Sequence, residues 1–309
     1  NVDQKHFFTS FMQEFIDISK KRIDHPVRPI QPRTIQHYQT TKKKIEAYEK
    51  HNGTLLKLTD ITLKFHNAFI EYLEFEQSLN PNTIGGYIDV IRQVCGKAEL
   101  KGHEVNNDYK SSDFYTPSNE TLDTYLNLEE IHKIYNHEFE NDYLDNARDW
   151  LIIGVWTGLR ISDLLSLNKS NLDGDFIKKD TLKTKFPVII PKHNHVNKIL
   201  EKRNGKFPRK ISDQNFNIYI KEVCKEVEII EKIKGAKMIE IEEIKNGKKK
   251  KIHRKRIGYY PKYQLVSSHI CRRSFASNHF GKLDTLTLMK ITGHKTEKQF
   301  LDYIKITPI

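Results

Sequence analysis

Six polar residues in the second half of the chain have the side chains needed to break and remake a phosphodiester bond. Two are arginines, which stay charged and present planar, forked donors that match phosphate oxygens. One is a tyrosine, whose phenol can form a covalent phosphoryl ester that preserves the energy of the broken bond. Histidine can move a proton near neutral pH, and lysine can protonate a departing oxygen. The six residues are Arg160, Lys183, His269, Arg272, His294 and Tyr303.

Each of these residues also has a simpler role when it is taken alone. Tyr303 has helical spacing from Phe300 and Ile304, which is typical of a core residue. An arginine at the position of Arg160 could cap a helix or form an ion pair, and a lysine at a strand edge is usually solvated. The joint order of the six residues, together with their flanking residues, is therefore the evidence for a shared site.

Short motifs surround these residues, and their order resembles the catalytic domain of the tyrosine recombinase or phage integrase family. The motifs are Thr-Gly-Leu-Arg ending at Arg160 with Asp163 three positions later, Lys183-Thr184 ahead of a segment ending in Ile-Pro, His269-x-x-Arg272 followed by Arg-Ser-Phe-Ala, and Gly293-His294 with Tyr303 nine residues on. The match covers the second half of the chain and is specific, because each box occurs with its usual neighbours.

The resemblance implies a reaction and a role for each residue. Tyr303 would become joined to a DNA 3′-phosphate and free a 5′-hydroxyl, without metal or nucleotide cofactor. The two arginines and His294 would hold the phosphate, His269 would move the phenolic proton, and Lys183 would protonate the 5′-oxygen. Lys185 is a rival for that last role, and Asp163 would orient the site. The expected partner is double-stranded DNA, bound by a tetramer, with DNA-bending accessory proteins as a further expectation.

Composition agrees with a polyanionic partner. The chain has 309 residues, and 52 Lys and Arg against 40 Asp and Glu give a net charge of +12. A basic balance favours nucleic acid, although a solvated lysine-rich surface is an equal alternative. Neither an apolar run of the ~20 residues of a membrane helix nor a signal-peptide pattern occurs. The three cysteines lack metal-ligand spacing, so we expect reduced thiols and a cytoplasmic, nucleoid-associated protein.

The first 105 residues predict a helical bundle. Four segments carry apolar residues at helical spacing, and Asn80-Pro81 supplies a cap and a first-turn proline for the fourth. The Asn-Pro-Asn-Thr-Ile pattern resembles, less specifically, the SAM-like core-binding domain of the same family. Single exposed lysines are usually solvated, but some cations of this part are candidate phosphate contacts: Arg33, Lys42, Lys43, Lys44 and Arg92.

A polar, aperiodic segment over 106–126 predicts a linker to a catalytic domain over 127–309. In that domain, helices and a small sheet that presents Lys183 at a hairpin predict an α+β fold. The segment from Ile229 to Tyr263 contains Asn246-Gly247, a strong hairpin signal. We expect an extended basic arm with Arg254 and Arg256 as DNA contacts, and a surface loop is the alternative. The predicted fold class is mainly α with a small β-sheet.

The two ends of the sequence carry their own expectations. The chain begins at Asn1 rather than Met, which indicates a fragment or a processed form. Six residues follow Tyr303. That tail is shorter than the one with which many relatives of the family dock on a neighbouring protomer.

Three functions remain in competition at this point. The first is a site-specific recombinase that integrates or excises mobile DNA. The second is a type IB topoisomerase, which shares the tyrosine chemistry and relaxes supercoils. The third is a catalytically silent DNA-binding protein, against which all six filled positions argue. A metal-dependent nuclease is disfavoured, because no compact carboxylate cluster lies near the boxes.

Overall fold

The computed structural model describes residues 7–119, 121–182, 186–245 and 248–304. The chain divides into two compact units, Asn1–Glu120 and Thr121–Ile309. The first unit is helical, and the second combines helices with two small antiparallel sheets. No helix within the described ranges is long and apolar enough to cross a membrane.

Within residues 7–119, four α-helices form the first unit, as the apolar spacing predicts. Pro32 and Pro81 occupy first-turn positions, and the Asn80 side chain accepts a hydrogen bond from the Thr83 N–H. Tyr72–Glu76 continues the third helix as a π-helix. The apolar faces meet in one core that includes Phe8, Ile45, Phe69 and Ile88. The helices are α1 (Phe8–Lys20), α2 (Pro32–Asn52), α3 (Leu63–Glu71) and α4 (Pro81–Leu100).

The division between the units falls inside the segment predicted as a linker. Asn107–Lys110 forms a short 3-10 helix, and Tyr109 and Phe114 are buried in the core of the first unit. Their aromatic rings lie in a polar stretch without periodicity, so a pattern of spacing could not detect their burial. Leu126, near the other end of the segment, is fully buried in the core of the second unit.

The second unit is built around one buried helix. Twelve of the sixteen residues of α6 are buried, and residues 150–155 are apolar on every side of the helix, which is typical of a helix surrounded by protein. α6 and α11 approach closely, since a Cβ on Gly154 would lie 2.6 Å from Cys271 Sγ. The helices are α5 (Leu128–Asn136), α6 (Asp142–Thr157), α7 (Ile161–Leu164), α8 (Asn194–Lys202), α9 (Asp213–Glu226), α10 (Lys262–Leu265), α11 (His269–His279), α12 (Thr285–Thr292) and α13 (Glu297–Tyr303).

Both predicted hairpins are present in this unit. The first sheet has the order β1-β2-β3, with β1 (Leu172–Asp173), β2 (Phe176–Asp180) and β3 (Pro187–Pro191). The second pairs β4 (Lys232–Lys245) with β5 (Lys248–Pro261) in a single antiparallel register. The predicted turn residues Asn246 and Gly247 lie outside the described residues, as do Lys183, Thr184 and Lys185 between β2 and β3.

Gly158 ends α6, and its replacement by alanine should destabilise the second unit by about 1–3 kcal/mol. Its φ is +63°, and an added Cβ would lie 2.6 Å from Phe275 Cδ1. Urea unfolding of the Gly158→Ala variant measures the loss. Gly205→Ala is the matched control, because its φ is +73° but nothing lies within 4 Å of the added Cβ. An equal loss in both variants would contradict the packing argument.

Candidate functional site

Four of the six predicted residues come together at the ends of helices in the second unit. Arg160 is the N-cap residue of α7, and Arg272 lies in the first turn of α11. His294 follows Gly293, which ends α12 in the left-handed conformation with φ +60°. Tyr303 is the last residue of α13. Helix ends and caps therefore fix the backbone positions of all four.

Gly293 is the point where the two arginines meet. A Cβ on this residue would lie 3.3 Å from Arg160 Nη2 and 3.4 Å from Arg272 Nη2. Two guanidiniums that lie this close to the same residue repel each other unless an anion binds between them or beside them. Burial is the main cause that lowers the pKa of Arg272, and the proximity of Arg160 lowers it further. This pair is suited to binding one phosphate group through both arginines, because each guanidinium offers parallel N–H donors.

Arg272 is held rigidly with part of its guanidinium unused. Its side chain is buried, and Nη1 donates to the Gly158 carbonyl oxygen at 2.8 Å. Nη2 is buried and has no hydrogen-bond partner within the described ranges. Burial, followed by the repulsion from Arg160, lowers the pKa of Arg272 to about 10, so the group remains charged at neutral pH. A buried cationic donor without a partner is costly and is typical of a site that receives an anion.

The hydrogen bonds of His294 indicate its tautomer. Thr292 Oγ1 donates to the Leu288 carbonyl oxygen at 2.6 Å and also lies 2.9 Å from His294 Nδ1. Because a hydroxyl has one hydrogen, Nδ1 must carry the proton that joins these two atoms. Burial, Arg272 and Arg160 lower the pKa of His294 to about 4. The ring is therefore neutral at pH 7, with Nε2 as an acceptor.

Tyr303 lies against two of these groups. Its ring centroid is 4.8 Å from that of His294, and the guanidinium carbon of Arg273 lies 4.7 Å from its centre. The hydroxyl is buried and has no hydrogen-bond partner among the described residues. Burial raises the pKa of Tyr303, while Arg273 and Arg272 oppose that rise. The phenol is therefore protonated at neutral pH and requires a proton acceptor if it is to act as a nucleophile.

His269 and Asp163 flank this group of four. His269 begins α11, and partial burial together with Arg273 lowers its pKa, so it is neutral at pH 7. It forms no hydrogen bond to the Tyr303 hydroxyl in this structure. Asp163 is fully buried, and its Oδ1 accepts from the Leu182 N–H at 2.7 Å. Asp163 thus anchors the residue that immediately precedes Lys183.

Arg273 is a member of the site that the sequence reasoning did not single out. Its Nη2 donates to Asp123 at 2.8 Å, and its side chain is 9% exposed. The Asp123 carboxylate fixes the guanidinium plane over the Tyr303 ring, where the cation is attracted to the aromatic face. In the sequence, Arg273 is visible only as the second arginine of an Arg-Arg pair. Its partner Asp123 lies 150 positions away, so no local pattern indicates the contact.

The predicted DNA contacts have different surroundings. Arg33 and Lys43 are exposed on α2, while Lys42 pairs with Glu46 at 2.6 Å and Lys44 donates to Gln77 at 3.0 Å. Arg256 is exposed on β5, and Arg254 beside it is partly buried.

Arg92 is half-buried and forms contacts within the first unit. Its Nη2 donates to the carbonyl oxygens of Ser111 and Phe114, and its guanidinium carbon lies 5.7 Å from the Phe114 ring centre. These contacts join α4 to the segment that follows it and use Nη2 of Arg92, whose predicted role as a phosphate contact stays a prediction. Across the described ranges of both units, no group of three or more His, Cys, Asp or Glu could hold a metal ion.

Comparison with solved structures defines the class of the fold. A lambda integrase dimer bound to a COC′ core site matches with a TM-score of 0.66 and 17% identity, over 95% of this chain and 94% of that one. A lambda integrase tetramer bound to a Holliday junction gives 0.65 and 17%, over 97% and 80%. The Tn1549 transposon integrase in complex with transposon right end DNA gives 0.64 and 13%, over 95% of each chain. The chain therefore has the fold of the tyrosine recombinases.

The first unit can be assigned more narrowly. Residues 7–117 match the family model of the phage integrase SAM-like domain. A search against curated proteins by sequence found no match. The fold class predicted from the sequence, a helical SAM-like domain followed by an α+β domain, is confirmed, and so is the resemblance to the tyrosine recombinases.

Proposed function

We propose that the protein is a site-specific DNA recombinase that cleaves and rejoins DNA through a covalent bond between Tyr303 and a 3′-phosphate. The observation that carries this proposal is the meeting of Arg160 and Arg272 at Gly293, within 3.3–3.4 Å of one position. His294 and Tyr303 adjoin them, with ring centroids 4.8 Å apart. A phosphodiester placed between the arginines would satisfy the unpartnered Nη2 of Arg272.

In the proposed reaction the Tyr303 oxygen attacks the phosphorus atom, and the bond from phosphorus to the 5′-oxygen breaks. The two guanidiniums stabilise the extra charge on the non-bridging oxygens. His269, neutral at pH 7, takes the phenolic proton, and Lys183 gives a proton to the departing oxygen. The phosphate ester is conserved in the covalent intermediate, so the reverse attack by a 5′-hydroxyl rejoins a strand without a nucleotide cofactor.

The tautomer of His294 refines its proposed role. A neutral His294 with its proton on Nδ1 offers only a lone pair at Nε2, so it cannot donate to a phosphate oxygen. A bound phosphate would add negative charge beside the ring and raise the pKa of His294. His294 then contributes a donor as the imidazolium, and phosphate binding is coupled to uptake of one proton.

The proposed substrate is double-stranded DNA of a mobile element, which the protein integrates or excises. The net charge of +12 supports a polyanionic partner. Arg33 and Lys43 are the exposed cations of α2 that we propose as phosphate contacts, which would fix the position of the protein and not the sequence it reads. By analogy with the lambda integrase tetramer bound to a Holliday junction, we propose that the active assembly is a tetramer.

A nicked duplex tests the proposed reaction directly. The labelled substrate, taken from the ends of the protein's own mobile element, traps the intermediate because the short 5′-strand diffuses away after cleavage. We expect a covalent adduct on a denaturing gel without added metal, and its complete loss in Tyr303→Phe. Tight binding without an adduct would overturn the cleavage proposal and favour a DNA-binding role.

A second assay separates the recombinase from a topoisomerase. Two labelled duplexes that carry the same site should exchange strands if the protein is a recombinase. Relaxation of a supercoiled plasmid without strand exchange would favour the type IB topoisomerase instead. Tyr303→Phe is the control in both assays, because the ring and its stacking with Arg273 remain while the nucleophile is absent.

A further inference from the structure

The β4–β5 hairpin carries most of the net charge of the protein. Residues 232–261 contain eleven Lys and Arg and three Glu, a net charge of +8 out of +12 for the whole chain. The two strands pair from Lys232↔Pro261 to Lys245↔Lys248, which are fourteen residue pairs. At the usual rise per residue this ribbon is about 45 Å long. An isolated two-stranded ribbon is marginally stable, so its free length benefits from a bound partner.

One face of the hairpin is covered at its base by the unit itself. A Cβ on Gly235 would lie 2.3 Å from Leu265 Cδ1 of α10, and Lys237 Nζ donates to Gln264 at 2.8 Å. Gly235 and Lys237 point to the same side, because side chains alternate along a strand. This face therefore packs against α10 and anchors the ribbon in the unit.

The opposite face is an exposed strip of apolar side chains flanked by cations. The strand register places Met238 opposite Lys255, Ala236 opposite Ile257 and Lys234 opposite Tyr259, all on this side. Three of these side chains are strongly exposed: Met238 at 57%, Ile257 at 61% and Tyr259 at 72%. We define the ribbon face as Lys234, Met238, Lys255, Ile257 and Tyr259.

The acidic residues near the ribbon face are already paired. Glu240 lies 2.7 Å from Lys251 Nζ, and Glu242 lies 3.4 Å from Lys249 Nζ. Lys234 and Lys255, in contrast, are exposed, and no ion pair within the described ranges includes them. Both cations of the ribbon face can therefore pair with an anionic partner.

We propose that the hairpin binds duplex DNA as a β-ribbon, with its ribbon face against a groove, at a stretch separate from the phosphate held by the two arginines. The proposal rests on the proposed function, since it takes DNA as the partner. A two-stranded ribbon fits the width of the major groove, and apolar side chains contact thymine methyl groups there. Lys234 and Lys255 bind backbone phosphates on either side.

Two alternative roles for the ribbon face explain fewer of its features. One is protection of an edge strand, and the other is pairing with a second copy of the chain. Lysines on edge strands prevent pairing between sheets, but that function does not require three exposed apolar side chains beside them. A second copy of the chain would meet a repulsive charge of the same sign, and the centres of protein interfaces are depleted in lysine. Duplex DNA satisfies both the charge and the apolar strip.

The salt dependence of DNA affinity tests this proposal. In the double variant Lys234→Gln and Lys255→Gln, the slope of log K against log salt should fall by about 2, at about 0.9 per lost phosphate contact. The matched control is Lys221→Gln and Lys225→Gln, which removes the same charge from exposed positions on α9. Tyr259→Ala should weaken binding by about 3-fold or more with the slope unchanged.

The outcomes separate this proposal from the proposed function. An unchanged slope in the double variant, or an equal fall in the control variant, would overturn the DNA-binding ribbon. Sedimentation that shows loss of self-association without DNA in the double variant would assign the ribbon face to a second copy. Adduct formation on a short nicked duplex at saturating protein should be the same in all these variants. If the parent protein forms no adduct, that result contradicts only the proposed role of Tyr303 and leaves the DNA-binding ribbon to the salt test.

Discussion

Arg272→Ala should slow formation of the covalent adduct at least about 100-fold, the usual scale for removing one preorganised donor to a developing oxyanion. The wild-type guanidinium is fixed by the Gly158 carbonyl oxygen at 2.8 Å, while its Nη2 is held ready without a partner. Because the protein already bears the cost of burying this charge, no reorganisation is required when phosphate charge develops. Single-turnover adduct formation on a nicked duplex at saturating protein measures the loss.

Two further variants separate lost chemistry from lost structure. Arg272→Lys keeps a positive charge but not the planar guanidinium, so we expect its rate of adduct formation to lie between those of Arg272→Ala and the wild type. Arg209→Ala removes an arginine from the same unit whose side chain is 66% exposed and paired with Asp142, and it should leave the rate unchanged. A near-normal rate in Arg272→Ala, with thermal unfolding and DNA affinity preserved, would remove Arg272 from the reaction.

Much of the fold follows from local signals in the sequence. Asn80 caps α4 as predicted, and Asn127 caps α5 in the same way; their side chains accept from the N–H groups of Thr83 and Glu130. Gly158 ends α6 in the left-handed conformation. These features were predictable because a cap depends on residues within one turn of each other. Hydrophobic spacing identified the helices for the same reason.

The arrangement of the site was predictable only in part. Motif order identified Arg160, Arg272, His294 and Tyr303, and the structure places these four together. The contacts that determine the chemistry of these four residues could not be predicted. Some of them join residues that are distant in the sequence, and others depend on which atom carries a proton. The proton on His294 Nδ1 follows from Thr292 and Leu288, and no pattern of spacing specifies it. The role of Lys183 stays a prediction, since it lies outside the described residues.

The contact between Arg273 and Tyr303 leads to the second large effect. Arg273→Gln should slow adduct formation by about 10- to 100-fold, since small displacements of a nucleophile cost up to about 100-fold. The stacked guanidinium, 4.7 Å from the ring centre, restricts where the Tyr303 hydroxyl can point. Arg273 also opposes the rise in the pKa of Tyr303 that burial causes. Its removal should therefore shift the pH profile of the cleavage rate towards higher pH.

Asp123→Asn distinguishes positioning and charge from simple damage to the fold. The Asp123 carboxylate raises the pKa of Tyr303, whereas Arg273 lowers it. Neutralising Asp123 should shift the pH profile of cleavage towards lower pH, opposite to the shift in Arg273→Gln. A general loss of packing would slow both variants without shifts of opposite sign. Rates of adduct formation between about pH 6 and pH 10, across the ordinary titration range of tyrosine, measure both shifts. Parallel shifts would show that Arg273 acts on Tyr303 only through the structure of the unit, because its charge would then have no effect of its own on the phenol.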